Sequence, residues 1–548
     1  MIRSVVRTVS ILTLVGCSQW LGTGRTQAQA AAERVPLIMT KLPLRNSALY
    51  SRLLKLAGEA KSQVLTLTKT EMWAVPKENV DAVKTAAAEL NVGVNQLGTD
   101  WNHVFNKAPA DVRMTDTQNA VVDRAKASRA TLRVNMMAAP MAPMVEYALT
   151  KDADRQEANL DPAKILVRLT DDTILTIVRS TVDIIPAHRC TWRGTVEGTG
   201  APVTIMWWPG GKMTGNLQHE GKIYSIRHMG GEMHAVVEMA EDRMPLEHAP
   251  MPERMRATDP NLRDDPLASE GDASIMKPKK QQKGGQLDDT QQQRKLQRAK
   301  VVADQRVRAI NVSNPTAKKA ASKDNSTPKD VVIDVIVAYT KKAANNYSDV
   351  KRELVELSIE EANESFRQSG IGQVKLRLVH TYQTDYVEEG AHFDHVWRFA
   401  DKGDGYMEEI HPLREKYHAD VAVLIVDDPK GCGLATRVFA DANEAFAVVH
   451  HECAAASFSL AHEVGHLIGA RHDLNVDKNM SPFAYGHGFV NGTRWRDIMS
   501  YKESCNGCPR LPVWSSPKIT VQGVVAGTPD LDNARVIAEQ AGRVAAFR

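Results

Sequence analysis

The spacing of apolar residues changes character along the chain, and the changes divide it. Between 163 and 240, the segments 165–169, 173–178, 203–208, 213–217 and 223–226 alternate apolar with polar residues or carry β-branched and aromatic side chains. That is the period of strands. Pro209-Gly210-Gly211, between two of them, predicts a hairpin turn. Upstream the texture is mixed: 63–76 reads as a strand, 79–91 as an alanine-rich helix and 92–97 as a short apolar segment. Beyond 330 the pattern shifts again. Residues 331–339 and 419–426 are apolar runs rich in β-branched side chains, which predict buried strands. Residues 374–382 alternate as a strand, and 431–438 form a candidate edge strand. Val350, Leu354, Leu357, Ala362 and Phe366 recur on one side of a helix over 349–369. Phe458, Leu460, Ala461, Val464, Leu467 and Ile468 predict a second, buried helix, and a last helix is expected at 533–547.

The intervening stretch, 256–329, is dominated by Gln, Lys, Asp, Ser and Pro. It holds too few apolar residues to offset the entropy of ordering it, so a linker is expected. Lys277-Pro278-Lys279-Lys280 and Arg294-Lys295 offer basic sites for maturation cleavage, and a short helix is expected near 291–307. The expected organisation is therefore an export segment at 1–30, an N-terminal region at 31–255, the linker at 256–329 and a second folded unit at 330–548.

A chain of 548 residues has room for two or three domains. Its 69 Lys and Arg against 66 Asp and Glu leave a net charge of +3, which makes no case for nucleic acid. No stretch after the N-terminus approaches the roughly 20 apolar residues of a membrane-spanning helix. Arg3 and Arg7 precede the short apolar run 10–16, which reads as a secretory signal. Two processing sites compete. Leu14-Val15-Gly16-Cys17 resembles a bacterial lipobox with Cys17 as the lipidated residue, and Ala28-Gln29-Ala30 resembles an ordinary signal-peptidase site. Either route exports the protein, as a secreted, extracellular chain or as a periplasmic or outer-membrane lipoprotein whose only membrane contact is that lipid. Disulfides persist in such compartments. Cys432, Cys453, Cys505 and Cys508 are the disulfide candidates, with their connectivity open, and Cys190 is the odd one out.

The chemistry is concentrated in His-Glu-Val-Gly-His-Leu-Ile-Gly-Ala-Arg-His-Asp at 462–473. His462 and His466 are four apart and project from one face of a helix. Gly469 can end that helix in a left-handed turn, after which the chain delivers His472. Three imidazoles around a zinc ion leave the fourth position to water, the pattern of a catalytic site. Glu463 is adjacent to the first ligand and within reach of that water.

Residues 462–473 resemble the zinc signature of the metzincin metallopeptidases, and Asp497-Ile498-Met499-Ser500-Tyr501 resembles their methionine turn. Asp473 is similar to the residue at that place in the reprolysin/adamalysin branch and the bacterial peptidyl-Asp metalloendopeptidases. Tyr501 is placed as in the astacins and serralysins. The resemblance implies an α+β catalytic domain over 330–548, with a mixed twisted sheet in an α/β upper subdomain, a zinc helix and a Met-turn. A mixed, β-rich propeptide-like domain would precede it. The implied activity is that of an exported zinc metalloendopeptidase made as a zymogen, with one catalytic Zn2+ and no motif in support of Ca2+. Glu463 would be the general base. Tyr501 would contact the oxyanion or the zinc, or simply pack beneath the site. Asp473 would be structural and Met499 an apolar floor. An extended peptide substrate would add to the strand at 433–438, and the chain's own propeptide would be a second partner. Cys190 would be a buried thiol or a zymogen switch on zinc. His188, His219, His228 and His234 read as strand or turn residues. Trp495, Tyr485 and Phe489 would line a pocket or fill the core. Two other readings stand beside this one. A non-catalytic metzincin-fold binding or adhesion protein is expected to lose a ligand or the base. A zinc hydrolase acting on some other amide would keep both.

Overall fold

A computed structural model of the chain describes residues 34–138, 164–247 and 330–548, with short breaks at 45, 58–61, 66–69, 97–103, 109–112, 186–188, 209–211, 231–232 and 391. The export segment with Cys17, the linker with its basic sites and expected helix, the 209–211 turn and His188 lie outside the described residues.

The N-terminal region holds two antiparallel sheets. The first has the order β2-β3-β1-β4, from β1 (Arg34–Thr40), β2 (Ser62–Leu65), β3 (Thr70–Pro76) and β4 (Gly93–Gln96). Helices α1 (Ala48–Leu56) and α2 (Val80–Glu89) share its core with Trp73. The expected single strand at 63–76 is thus a hairpin, with Ser62 opposite Trp73. No Gly or Pro punctuates 62–75 to announce the turn.

The second sheet has nine strands in the order β5-β6-β13-β12-β11-β10-β9-β8-β7. They are β5 (Asn106–Lys107), β6 (Thr131–Ala138), β7 (Lys164–Arg168), β8 (Ile174–Ile185), β9 (Arg189–Val196), β10 (Pro202–Trp208), β11 (Lys212–His219), β12 (Lys222–Gly230) and β13 (Met233–Ala240). Helix α3 (Asp116–Ala127) packs on β6 behind a Thr115–Gln118 capping box. Along β10, Val203, Ile205 and Trp207 enter the sheet's own core, while Thr204, Met206 and Trp208 point to the other face.

The unit at 330–548 is built on five strands in the order β15-β14-β16-β18-β17: β14 (Val331–Thr340), β15 (Val374–Thr384), β16 (Val421–Val426), β17 (Gly433–Ala435) and β18 (Phe446–His450). β14, β15, β16 and β18 run parallel, and β17 lies antiparallel on the edge beside β18. β16 is buried at all six positions, as a parallel strand covered on both faces requires. The longer helices of the unit are α4 (Leu357–Gln368), α5 (His392–Ala400), α6 (Ile410–Lys416), α7 (Ser459–Ile468) and α8 (Asn533–Val544). Two expectations need correction. The edge strand is three residues long, not eight. β18, α5 and α6 add to the expected elements, because five to nine residues are too few for a clear period.

The outer face of the nine-stranded sheet is buried because it lies on α4. Arg193 reaches Glu360 at 2.5 Å and Glu364 at 3.2 Å, and Arg189 reaches Glu360 at 2.9 Å. The Thr204 hydroxyl donates to Glu361 at 3.3 Å, and Met206 and Trp208 pack on Leu357 and Ala455. Burial, reinforced by Glu364, pushes the Glu361 carboxyl up to about 8 against the opposing effects of Thr204, Asn216 and Arg193. Glu353, facing Arg227 and Asp349, is likewise pushed up by burial to about 8. Glu360 moves the other way, since Arg189, Arg193 and Arg367 together outweigh its burial.

The signs separate two pH windows. Stability held by neutral Glu361 and Glu353 is complete below the ordinary carboxyl range and is lost as pH rises toward 8. Stability held by ionised Glu360 is present above that range and is lost on acidification through its lowered value. Glu361→Gln, a neutral mimic of the acid, is expected to stabilise the full chain at pH 8.5 by on the order of a few kcal/mol. Little change is expected at pH 5. Thermal melts at the two pH values check this, and an equal shift at both would contradict it.

Candidate metal centre

Helix α7 is buried at every position, so its polar side chains must find partners inside the protein. His462 and His466 stand one turn apart on it. Gly469, at φ 135°, closes the helix, and the N–H groups of Gly469 and Ala470 both return to the Gly465 carbonyl at 2.9 Å. The reversed chain brings His472 back. The three Nε2 atoms then converge, His462 to His466 at 3.1 Å, His462 to His472 at 3.0 Å and His466 to His472 at 2.9 Å.

Nδ1 of His462 lies 2.9 Å from the Ile498 carbonyl, and Nδ1 of His466 lies 2.9 Å from that of Ala470. With those Nδ1 atoms donating, the Nε2 atoms of both rings carry lone pairs aimed at a common point. Burial, with His466, His472 and Arg510 adding to it, holds His462 well below its ordinary pKa and so neutral. Three nitrogens about 2.1 Å from one ion stand about 3.4 Å apart at tetrahedral angles, close to the observed spacing. The donor set therefore fits zinc.

The supports are local and dense. Asp473 accepts from the Tyr501 N–H at 3.1 Å, the Ser504 hydroxyl at 2.8 Å and the Asn475 N–H at 3.0 Å, tying the third histidine to the Met-turn. Asp497 accepts from Ser500 Oγ at 2.6 Å and the Ser515 N–H at 3.0 Å. Met499 is fully buried, with its sulfur beneath Gly465. The Tyr501 ring centroid is 4.5 Å from that of His472 and 6.4 Å from that of His462. Glu463 lies between α7 and the edge strand, where a Cβ on Gly433 would run into its carboxylate. Burial pushes Glu463 up to about 8, opposed by His472, Arg510 and the Ala435 N–H.

Other expected residues fall elsewhere. Cys190 is fully buried on β9 in the core of the nine-stranded sheet with Trp192 and Trp207, and it does not join the histidine group. The strand's alternation turns Cys190 into the sheet's own core, the placement of a buried thiol. Cys432 is bonded to Cys453 and Cys505 to Cys508. Trp495 and Phe489 pack with Leu511, Val513 and Ala526, while Tyr485 is held by Glu539. His219, His228 and His234 lie on β11, β12 and β13.

Two features had no readable signal. Asp427, His450 and His451 bring ligand-type atoms within 4.8 Å of one another, from the end of β16 and the end of β18. Arg496 and Arg510 are buried against the Met-turn. Neither group has a spacing that marks it in the chain.

Residues 329–515 match the family model Reprolysin_5, metallo-peptidase family M12. The peptidyl-Asp metalloendopeptidase of Xanthomonas campestris pv. campestris is 32% identical over 402 residues, 71% of this chain and 83% of that protein. The peptidyl-Asp metalloendopeptidase of Stenotrophomonas maltophilia strain R551-3 is 32% identical over 390 residues, 68% of this chain and 80% of that protein. Both alignments are longer than 330–548 and so extend into the N-terminal region. Metalloproteinase-II from Bacteroides fragilis, a solved structure, aligns over 70% of this chain and 90% of its own at 10% identity and a TM-score of 0.30, a likeness too slight to argue from.

Proposed function

The chain belongs to metallopeptidase family M12 and is a zinc metalloendopeptidase, and from that premise we propose that it is an exported enzyme, made as a zymogen, that cuts extended peptides beside an acidic residue. The observation that carries the site is the convergence of three Nε2 atoms within 3.1 Å, with Glu463 next to the first of them. His462, His466 and His472 hold the ion. Zinc, when bound, supplies a Lewis acid for the scissile carbonyl and lowers the pKa of water toward about 7.

The chain's own residues do the rest. Glu463 takes the proton of the attacking water and returns it to the leaving amine. Gly433 leaves the space in which that carboxylate stands. β17 is the edge strand along which the main chain of an extended peptide would lie, and Tyr501 donates toward the developing oxyanion. The preference for an acidic residue is supported by the names of the relatives. Export is supported by the two cysteine pairs and the basic-apolar N-terminus. Zymogen character is supported by the N-terminal sheet lying on α4 and by the alignments that run into that region.

A preparation cleaved in the linker is expected to hydrolyse casein, and the uncleaved full chain far more slowly, with loss on chelation and recovery on adding zinc. Zinc-loaded protein without chelator-sensitive hydrolysis in either form would instead support a binding protein.

A further inference from the structure

Arg496 and Arg510 are 0% and 2% exposed, and the backbone around the site fixes both. Arg496 Nε donates to the Ser500 carbonyl at 3.1 Å, and its Nη1 donates to that of Cys508. Arg510 Nη2 donates to the same Ser500 carbonyl at 3.3 Å and its Nη1 to that of Ser457 at 3.0 Å. Ser500 sits between Met499 and Tyr501 in the Met-turn, and Ser457 lies two residues before α7. The pair is therefore built into the wall of the metal centre. Arg510 is close enough for its charge to act on both His462 and Glu463.

Their counter-ions come from the other half of the chain. Arg496 Nη2 lies 2.5 Å from Glu241 Oε1 and 2.5 Å from Glu247 Oε1, and Arg510 Nη2 lies 3.0 Å from Glu247 Oε2. Glu247 bridges the two guanidiniums. Among the described residues, no carboxylate of 330–548 pairs with either arginine. Two desolvated guanidiniums without an anion are costly, so a catalytic unit that keeps them must receive one there when the N-terminal region departs.

The backbone leading to Glu247 reaches the start of the edge strand. The Leu246 carbonyl accepts from the Cys432 N–H at 2.6 Å, one residue before the Gly433 that abuts Glu463. Residues 246–247 thus attach at the start of the edge strand and deliver a carboxylate to the arginine pair. Burial pushes the Glu247 carboxyl up, but Arg510, Arg496 and Lys502 outweigh it and hold the group ionised.

We propose that Arg496 and Arg510 form the subsite that receives the acidic side chain of a substrate, and that Glu247 fills this subsite in the uncleaved chain as a tethered mimic. Resting on the reading of the site as an endopeptidase centre, this assigns its side-chain selection to two residues and its inhibition to a third. Guanidinium forks match a carboxylate in both charge and shape, and an amide isostere would leave them unpaired.

The test uses the full chain and two fluorogenic peptides that differ only in Asp or Asn after the cleaved bond. Uncleaved Glu247→Gln, or Glu247→Arg if glutamine still occupies the site, is expected to cleave the Asp peptide at least about tenfold faster than the uncleaved parent. In the Glu247→Gln background, Arg510→Met or Arg496→Met is expected to reduce the Asp-over-Asn ratio of kcat/KM from about a hundredfold toward one. Partial misfolding scales both rates and leaves the ratio untouched. A peptide with the sequence of residues 243–250 is expected to compete, and the same peptide carrying Glu247→Gln is not. A retained ratio in both arginine variants overturns the subsite, and unchanged activity in both Glu247 variants overturns the mimic. No hydrolysis of either peptide by any zinc-loaded chain overturns the endopeptidase reading itself.

Discussion

Glu463→Ala is expected to retain one zinc per chain while kcat on casein or a peptide falls by about 10³-fold, within the 10²–10⁴ range of a positioned general base. The contacts that hold the metal ligands are separate from those of Glu463. The His462 and His466 rings are held by the carbonyls of Ile498 and Ala470, and the His472 loop is tied down through Asp473. None of these bonds passes through Glu463. Its carboxylate instead stands against Gly433 and the Ala435 N–H, on the side where a peptide would lie. Removing it leaves the ligands in place and takes away the proposed proton acceptor. Metal analysis and steady-state kinetics on one preparation decide the matter. Activity within tenfold of the parent would remove Glu463 from its role, and loss of zinc would make it a structural residue.

Arg471→Met is expected to destabilise the chain by about 3–5 kcal/mol, the cost of leaving one member of a buried ion pair behind. That corresponds to a Tm lower by roughly 10 °C for a unit of this size. Arg471 Nη1 meets Asp477 at 3.0 Å, and neither side chain has any exposure. The Asp477 carboxylate otherwise accepts from the Asn479 N–H at 3.0 Å. The same arginine's main chain holds the loop before His472, through Gly486 and both amide atoms of Asn533. Zinc affinity is therefore expected to fall by about 10–100-fold along with stability, as for other residues that orient a ligand. The double variant Arg471→Met with Asp477→Leu should recover part of the loss, because no orphaned charge remains. Equal melting temperatures for the parent and the single variant would contradict the argument.

Much of the metal centre is written locally. The i, i+4 relation of His462 and His466 and the helix-ending Gly469 act within eight residues, so spacing alone foretells that the side chains share a face. The long buried strands β14 and β16 were legible for the same reason: a parallel strand covered on both faces is one unbroken apolar run. Short elements were less so. β18 and α6 are stabilised by what they pack against, and their own residues carry no distinct period. The hairpin within 62–76 was hidden because both arms favour strand and nothing between them breaks it.

The subsite is the opposite case. Glu247 meets Arg496 and Arg510 across about 250 residues of sequence, and nothing in the spacing of one charge on the other hints at the meeting. Cys190 was equally undecidable, since a lone cysteine becomes a core thiol or a ligand according to which face of its strand is covered. Covalent neighbours and helical or strand period determine which groups can act together within a turn or two. Which groups are desolvated together, and hence which charges must find each other, depends on how the nine-stranded sheet lies on α4 and the Met-turn. Burial sets those energies, and burial is a property of the packed chain.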